Sequence, residues 1–383
     1  MSRPVLVIRG GTLPRSSGLG RAHHDLLDRL KGGQVPDYHF DTAIEHDLDG
    51  GVLKRWLRRR KYHPRMVAKI AKDVSVHLFG IGRLRSENAI LHITDQEQAH
   101  LVPKVSKIPV SVTVHDLFHL EPRKISTSQG IVSIGDSSPG LIRRRDLKHI
   151  RRGLERADLL ICISEATAKA ARKLWPKKEV AVVPHGIDVG GYDPISYPLP
   201  KPKGLDYTRI NLLCVGSEEP RKRMEFLIDV LGALPEDVKM RTVLHKVGSE
   251  SSQKSKQKLL KKAENSGVNL HWVGCLSDID LCGYYQHCNA LLFPSIAEGF
   301  GLPPLEAMAS GCPVLVADMP AHNEVAPAEW LLPHEDIESW VNAIMKMGSN
   351  QRRRPPNETA LKRAQEFSIE VWSERLKNAW NLL

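Results

Sequence analysis

Residues 289–318 read NALLFPSIAEGFGLPPLEAMASGCPVLVAD. An apolar run leads into a glycine-rich bend. A helix-length stretch follows, opened by Pro303 and Pro304 and ended by Gly311, and then a second apolar run. Proline suits the first turn of a helix and glycine the position just past its end. Both apolar runs are continuous and not alternating, so each predicts a strand covered on both faces. Strand, helix and strand in that order predict a parallel sheet.

The same cadence recurs in two series. The first comprises VLVIRG (5–10), AILHI (89–93), VSVTVHD (110–116), LLICIS (159–164) and VAVVP (180–184). The second comprises INLLCVG (210–216), RTVLHKVG (241–248), VNLHWVG (268–274) and the two runs just quoted. The expected class is α/β, with two doubly wound, Rossmann-like parallel-sheet domains. A chain of 383 residues also exceeds what one core usually serves. The expected division is a first domain over 1–186, a Pro- and Gly-dense linker over 187–204, a second domain over 205–366, and a closing helix over 367–383 that packs back on the first domain. Residues 125–140, polar and glycine-bearing, are expected to form a loop.

Composition narrows the class. Apolar residues make up 41% and aromatic residues 5%, ordinary for an α/β protein and unlike a disordered chain. No apolar run reaches the length of a membrane span. The six cysteines form no CxxC pair, and the spacing of Cys275, Cys282 and Cys288 beside His287 is not that of a zinc knuckle, so reduced core thiols are expected. Residues 1–200 carry 33 Lys and Arg against 21 Asp and Glu, whereas the remainder is close to neutral. That asymmetry calls for an anionic partner on the first half: a phosphorylated substrate, an acidic membrane or nucleic acid.

In an open parallel sheet, ligands bind beyond the carboxyl ends of the strands. Two loops of the second domain carry suitable chemistry. After INLLCVG, Arg221 and Lys222 stand where a helix begins, a plausible diphosphate site. Glu218 and Glu219 could equally neutralise them as a surface cluster. After NALLFPS, Glu306 is expected in the first helical turn, able to grip two adjacent hydroxyls, and Glu298 ahead of the glycines could reach a sugar. Taken alone, that pair reads equally as a helix-dipole partner and a solvated acid. Two Asp-x-Asp stretches, HDLD (46–49) and SDID (277–280), suggest a divalent metal, but Ser277 reads as an N-cap with acids in the first turn.

The segment EGFGLPPLE resembles the Glu-x7-Glu motif of the family 4 (group 1) retaining glycosyltransferases, which have the GT-B fold. VGSEEPRK, VGCLSDIDL, ADLLICISEATAKAARK, VVPHGID and TVHDLF resemble further segments of that family in the same order. The resemblance implies two domains facing a central cleft, the first binding acceptor and the second a nucleoside-diphosphate sugar. It implies that Glu306 binds the ribose, Glu298 the transferred sugar, and Arg221 and Lys222 the diphosphate, with His115 reaching the sugar from the acceptor domain. Backbone groups of Gly299, Phe300, Gly301, Leu302 and Gly216 would meet sugar or phosphate, and Cys275, Leu276 and Ser277 the base. Many relatives carry Arg directly after VG where this chain has Ser217, which leaves the cationic role to Arg221. The family needs no metal for catalysis, so neither metal nor cofactor is expected.

In the first domain, Gly18 and Gly20 would let backbone approach the donor at a helix start, and Arg15 and Arg21 are candidates for an anionic acceptor. Residues 53–72 carry nine Lys and Arg and no acid. Arg55, Trp56, Arg58, Arg59, Arg60 and Lys61 in that stretch suit the face of an anionic membrane. The implied reaction is metal-independent, retaining transfer of a sugar from a UDP-, GDP- or ADP-sugar to a glycan or a polyprenyl- or lipid-linked acceptor. The implied place is the cytoplasm, peripheral at the inner membrane face. The alternatives are another GT-B enzyme, such as a sugar-nucleotide epimerase, or a non-catalytic basic protein binding membrane or nucleic acid. The near-neutral second half speaks against nucleic acid.

Overall fold

A computed structural model describes residues 2–10, 18–46, 88–347 and 354–383. The chain divides into two compact units. Unit 1 holds Met1–Arg123, Gly135–Gly186 and Glu370–Leu383; unit 2 holds Lys124–Ile134 and Ile187–Ile369.

Unit 1 is built on β1 (Arg3–Gly10), β2 (Tyr38–His46), β3 (Ile90–Ile93) and β4 (Val110–Val114). The hairpin strands β5 (Arg123–Thr127) and β6 (Gly130–Ile134) follow in the chain, and then β7 (Leu159–Cys162) and β8 (Glu179–Val182). The sheet order is β2-β1-β3-β4-β7-β8 with every pair parallel. Val5, Leu6, Val7 and Ile8 of β1 are all buried, as a run covered on both faces requires. On one face Leu91, Val112 and Leu160 pack with Ile150 and Leu154 of the helix Leu141–Arg156. On the other face Val5 and Val7 meet Leu26 and Leu30 of the helix Gly18–Lys31 and Trp372, Leu376 and Trp380 of the closing helix Ile369–Trp380. Two of the buried aromatic donors find acceptors here: the Trp380 indole N–H donates to Ser111 Oγ at 3.2 Å and the Tyr38 hydroxyl to Asn381 at 2.9 Å.

Unit 2 carries β9 (Ile210–Val215), β10 (Thr242–Val247), β11 (Asn269–Gly274), β12 (Ala290–Phe293), β13 (Val314–Ala317) and β14 (Leu331–Leu332). Its order is β11-β10-β9-β12-β13-β14, all parallel. Counted within the unit this is 3-2-1-4-5-6, so the strand order reverses between β9 and β12. Leu212, Leu244, Leu292 and Leu315 form one layer of the core with Phe226, Leu227, Trp340 and Ile344 from the covering helices. Three neighbouring strands end in glycines with positive φ: Gly216 at 137°, Gly248 at 127° and Gly274 at 90°. The Gly216 N–H donates to Val247 and the Gly248 N–H to Gly274, so pairing runs through the glycines before the chain turns away.

Three expectations need correction. Residues 125–140 are not one loop: Arg123–Ile134 form the β5–β6 hairpin, turning at Gly130 with φ 115°. Short alternating runs either side of Gln129-Gly130 were the available signal. Its residues Lys124–Ile134 also fold into unit 2, not with the rest of 1–186. Residues 187–204 are part of unit 2 and not a free linker. Gln286 binds the Leu199 N–H at 2.9 Å and the Tyr197 carbonyl at 3.0 Å, and His287 binds the Leu199 carbonyl at 2.9 Å.

Candidate functional site

The loops that follow β9 and β12 leave the point where the strand order of unit 2 reverses. After β9 a single 3-10 turn, Pro220–Lys222, precedes the helix Met224–Gly232. It lies against the β12 loop, where the Ile296 N–H donates to the Arg221 carbonyl at 2.9 Å and Ser295 Oγ stands 3.2 Å from it. The two loops exchange side chains as well. Arg221 donates to the Ala297 carbonyl at 2.8 Å and to Glu298 Oε2 at 2.7 Å. Lys222 Nζ stands 2.5 Å from Glu298 Oε1, which also accepts from Ser295 Oγ at 2.6 Å. Burial opposes the charge on Glu298, but Lys222 and Arg221 outweigh it and hold the carboxylate at about 2. Burial likewise opposes the charge on Arg221, while Glu298 and Glu219 raise its pKa above the ordinary value.

Glu298 is therefore not solvated. In this state it is the counterion of both cations predicted to hold diphosphate. Glu219 adds a second carboxylate, 2.7 Å from Arg221 Nε. Glu218, the other acid expected in that cluster, turns away to pair with Lys246, and both side chains are 1% exposed. Gly216 lies beside Lys222, where a Cβ would make only ordinary contact with its Cε at 3.6 Å, so the φ of 137° and not space is what favours glycine there.

Glu306 departs from expectation. The helix is Leu302–Ala309, with Pro303 and Pro304 at its start and no acid in its first turn. Glu306 stands in the second turn, buried, accepting from the Tyr285 hydroxyl at 2.9 Å. Gly301, with φ 145°, is the N-cap, a conformation open to glycine and strained for other residues. Gly299 and Leu302 flank it, while the Phe300 ring is buried edge-on to Phe367 at 5.8 Å. At the end of β11, Cys275 and Ser277 are exposed and Leu276 is half-buried. Ser277 caps the helix Asp278–His287, accepting from the Asp280 N–H, with Asp278 and Asp280 in the first turn. Ser295, Tyr285 and Phe293, whose ring lies 5.3 Å from Lys222 Nζ, were not singled out from sequence. Only the sheet brings them to the site, although a serine directly after a buried strand was a usable hint.

In unit 1, His115 follows β4 and is buried. Its Nε2 donates to the Thr94 carbonyl at 3.0 Å, which leaves Nδ1 as the acceptor in the neutral ring. Its own N–H donates to Gln96, and its ring stacks on His185 with centroids 5.5 Å apart. Burial, then His115, Arg29 and Arg21, drive the His185 pKa well down, so His185 is neutral. Gly18 and Gly20 open the helix Gly18–Lys31, where Arg21 stands 3.9 Å from Asp25. Arg15, the stretch Arg55–Lys61 and most of HDLD lie outside the described residues. Of the six cysteines, Cys275 is exposed and the other five are buried and unpaired. Among the described residues no cluster of His, Cys, Asp or Glu could hold a metal, and no helix is long and apolar enough to cross a membrane.

Two family models match the chain: Glycosyl transferases group 1 over residues 199–365 and Glycosyltransferase Family 4 over residues 58–190. The serotype-specific mannosyltransferase WbdA of Escherichia coli is 32% identical over 182 residues, 45% of this chain and 22% of WbdA. The O-antigen chain mannosyltransferase B of Escherichia coli is 28% identical over 176 residues, 45% of each chain. The chain thus spans less than half the length of these curated relatives. Among solved structures, HepE of Anabaena, in complex with UDP and glucose, superposes with a TM-score of 0.69 at 17% identity, covering all of both chains. The sucrose-phosphate synthase of Thermosynechococcus elongatus gives 0.70 at 18% identity, covering 99% of this chain and 98% of its own. The chain belongs to the group 1, family 4 glycosyltransferases and has their GT-B fold of two doubly wound parallel-sheet units.

Proposed function

We propose that the protein transfers a hexose, with retention and without metal, from a nucleoside-diphosphate sugar to a glycan or lipid-linked acceptor. The observation that carries this reading is the cluster at the β9–β12 crossing: two adjacent cations, a carboxylate between them and a second carboxylate on the following helix. Such a set divides one ligand by chemistry. Cations suit the diphosphate, and acceptor-only carboxylates suit vicinal hydroxyls. In the transfer, the bond from the sugar C1 to the leaving phosphate oxygen breaks while the bond to the acceptor oxygen forms on the same face. The acceptor proton passes to the departing phosphate. Arg221 and Lys222 hold the negative charge that grows on that phosphate. Glu298 releases them to it and turns to the sugar hydroxyls; Glu306 takes the ribose. His115 Nδ1 accepts from a sugar hydroxyl. A water-excluding site favours transfer over hydrolysis.

The likeness to the mannosyltransferases WbdA, mannosyltransferase B and RfbU of Salmonella typhimurium favours mannose as the sugar and a growing surface polysaccharide as the acceptor. A cytoplasmic enzyme attached to the inner membrane face through Arg55–Lys61 fits that chemistry. The test is a thermal-shift panel of UDP-, GDP- and ADP-sugars, followed by transfer assays with the binders. One nucleotide class should raise the midpoint, since a ligand of the folded state stabilises it. A flat response to all three classes would remove the reading.

A further inference from the structure

The helix after the diphosphate turn begins on an unusual residue. Arg223 has φ 55° and ψ 43°, the left-handed region, and closes the 3-10 turn of Arg221 and Lys222 while capping the helix Met224–Gly232. A side chain is strained there, and the position would suit glycine. Yet Arg223 is 4% exposed, with both terminal guanidinium nitrogens engaged and only Nε left without a hydrogen-bond partner. It donates to the His334 carbonyl at 2.5 Å and to Gln129 Oε1 at 2.5 Å. A longer contact reaches Ser128 Oγ at 3.4 Å. Glu335 stands 2.5 Å away as its counterion, and the guanidinium lies 4.4 Å from the centre of the Phe226 ring.

Ser128 and Gln129 are the tip of the β5–β6 hairpin, the segment that folds with unit 2. The tip is fastened twice more: the Ser128 N–H donates to Glu335 at 2.9 Å, and Gln129 Nε2 donates to Asp229 at 3.1 Å on the same helix. Arg223 and the hairpin act one residue along the backbone from Lys222.

We infer that the hairpin tip is a positioning element of the donor site, holding Arg223 in the left-handed kink that sets where Arg221 and Lys222 point. A forked cation gripped from three segments fixes both the kink and the start of the helix. Without the tip, the strained residue relaxes and the two cations lose their common aim. Gln129 and Arg223 are positioning residues, and the inference rests on the donor reading above.

The test titrates UDP, GDP and ADP, and the matching monophosphates, into wild-type protein, Gln129→Ala and Arg223→Gly. Glycine can adopt the left-handed backbone but visits other conformations as readily, so with the tie cut nothing holds the kink. Gln129→Ala should keep the wild-type thermal midpoint. It should weaken the preferred diphosphate about 10-fold, the size of a misaligned charge-assisted hydrogen bond, and leave the monophosphate within about twofold. Arg223→Gly should weaken the diphosphate further. Variants that bind the diphosphate like wild type, or lose both nucleotides equally, overturn the hairpin's role alone. Wild-type protein that binds none of the six removes the donor reading and this inference with it.

Discussion

Glu298 is where charge, burial and chemistry meet at the scale of one residue. Its carboxylate satisfies Arg221 and Lys222 together, with Ser295 on a lone pair and a pKa of about 2. With Glu219 on Arg221 as well, two cations face two carboxylates, and little attraction is left for an incoming diphosphate. In the proposed reaction, Glu298 holds the place of the phosphate until donor arrives. Replacing it with glutamine keeps the shape and removes the charge. Glu298→Gln should bind the free nucleoside diphosphate several-fold tighter, since one competing pair is gone, while transfer falls by about 100-fold or more with the loss of a contact made at the reacting sugar. Calorimetry with the preferred diphosphate and a transfer assay read the two effects separately. Weaker diphosphate binding in this variant would show that Glu298 organises the cations and does not compete for them. From the sequence, the residue and its neighbours were legible in EGFGLPPLE. Its pairing was not, because Arg221 lies 77 residues away and meets it only across adjacent strands.

Elements show the same division between local pattern and distant contact. Continuous apolar runs announced β1, β3, β4, β7 and β8 and five strands of unit 2, because burial on both faces leaves a signature in the run itself. β2, YHFDTAIEH, escaped notice because it mixes polar and apolar residues; it stands at the end of the sheet among the described strands. Helix packing rests on details finer than periodicity. The helix Leu141–Arg156 approaches the 3-10 helix Gln96–Leu101 so closely at Gly153 that a Cβ there would lie 1.8 Å from the Ala99 carbonyl oxygen. That atom is backbone and cannot swing aside. Gly153→Ala, mild in an open helix, should therefore destabilise the protein by about 2–3 kcal/mol through overpacking. Urea denaturation measures it; a change below about 0.5 kcal/mol, the range of ordinary surface substitutions, would mean the two helices separate freely. The same helix holds Arg143 between Glu97 and Asp136, so that cation is spent inside the unit, while Arg144, Arg145, Lys148, Arg151 and Arg152 stay exposed.

Across the whole molecule, neutral buried histidines set the response to acid. Burial lowers His92 from 6.5 to about 3, and His100 and His245 to about 4, with His185 lower still than its ordinary value. Each folded value lies below the unfolded one, so below pH 6.5 the unfolded chain binds the extra protons. The stabilisation is complete above 6.5 and is lost as pH falls toward the folded values. His92, His100 and His245 give a slope of roughly 4 kcal/mol per pH unit near pH 5, at about 1.4 kcal/mol per proton, and His185 acts in the same direction. Glu298, lowered from 4.5 to about 2, adds a loss of the same sign below 4.5. Denaturation midpoints at pH 8, 6.5 and 5 should be close for the first pair and much lower for the last; equal midpoints at all three would contradict neutral burial of these rings. Such a response belongs to no single motif: His92 is buried between Ser111 and Thr113, and His245 bonds Asn211 and His271 across the other sheet. By itself the sequence determined the two α/β units, most of their strands and the family, because burial period and turn residues are local properties. Only the tertiary structure decided that Glu306 sits a turn beyond the helix start under Tyr285, that Glu298 neutralises both cations, and that a hairpin from the first half of the chain binds Arg223 beside them. Those facts depend on which strands lie side by side, and strand order is not written in any one segment.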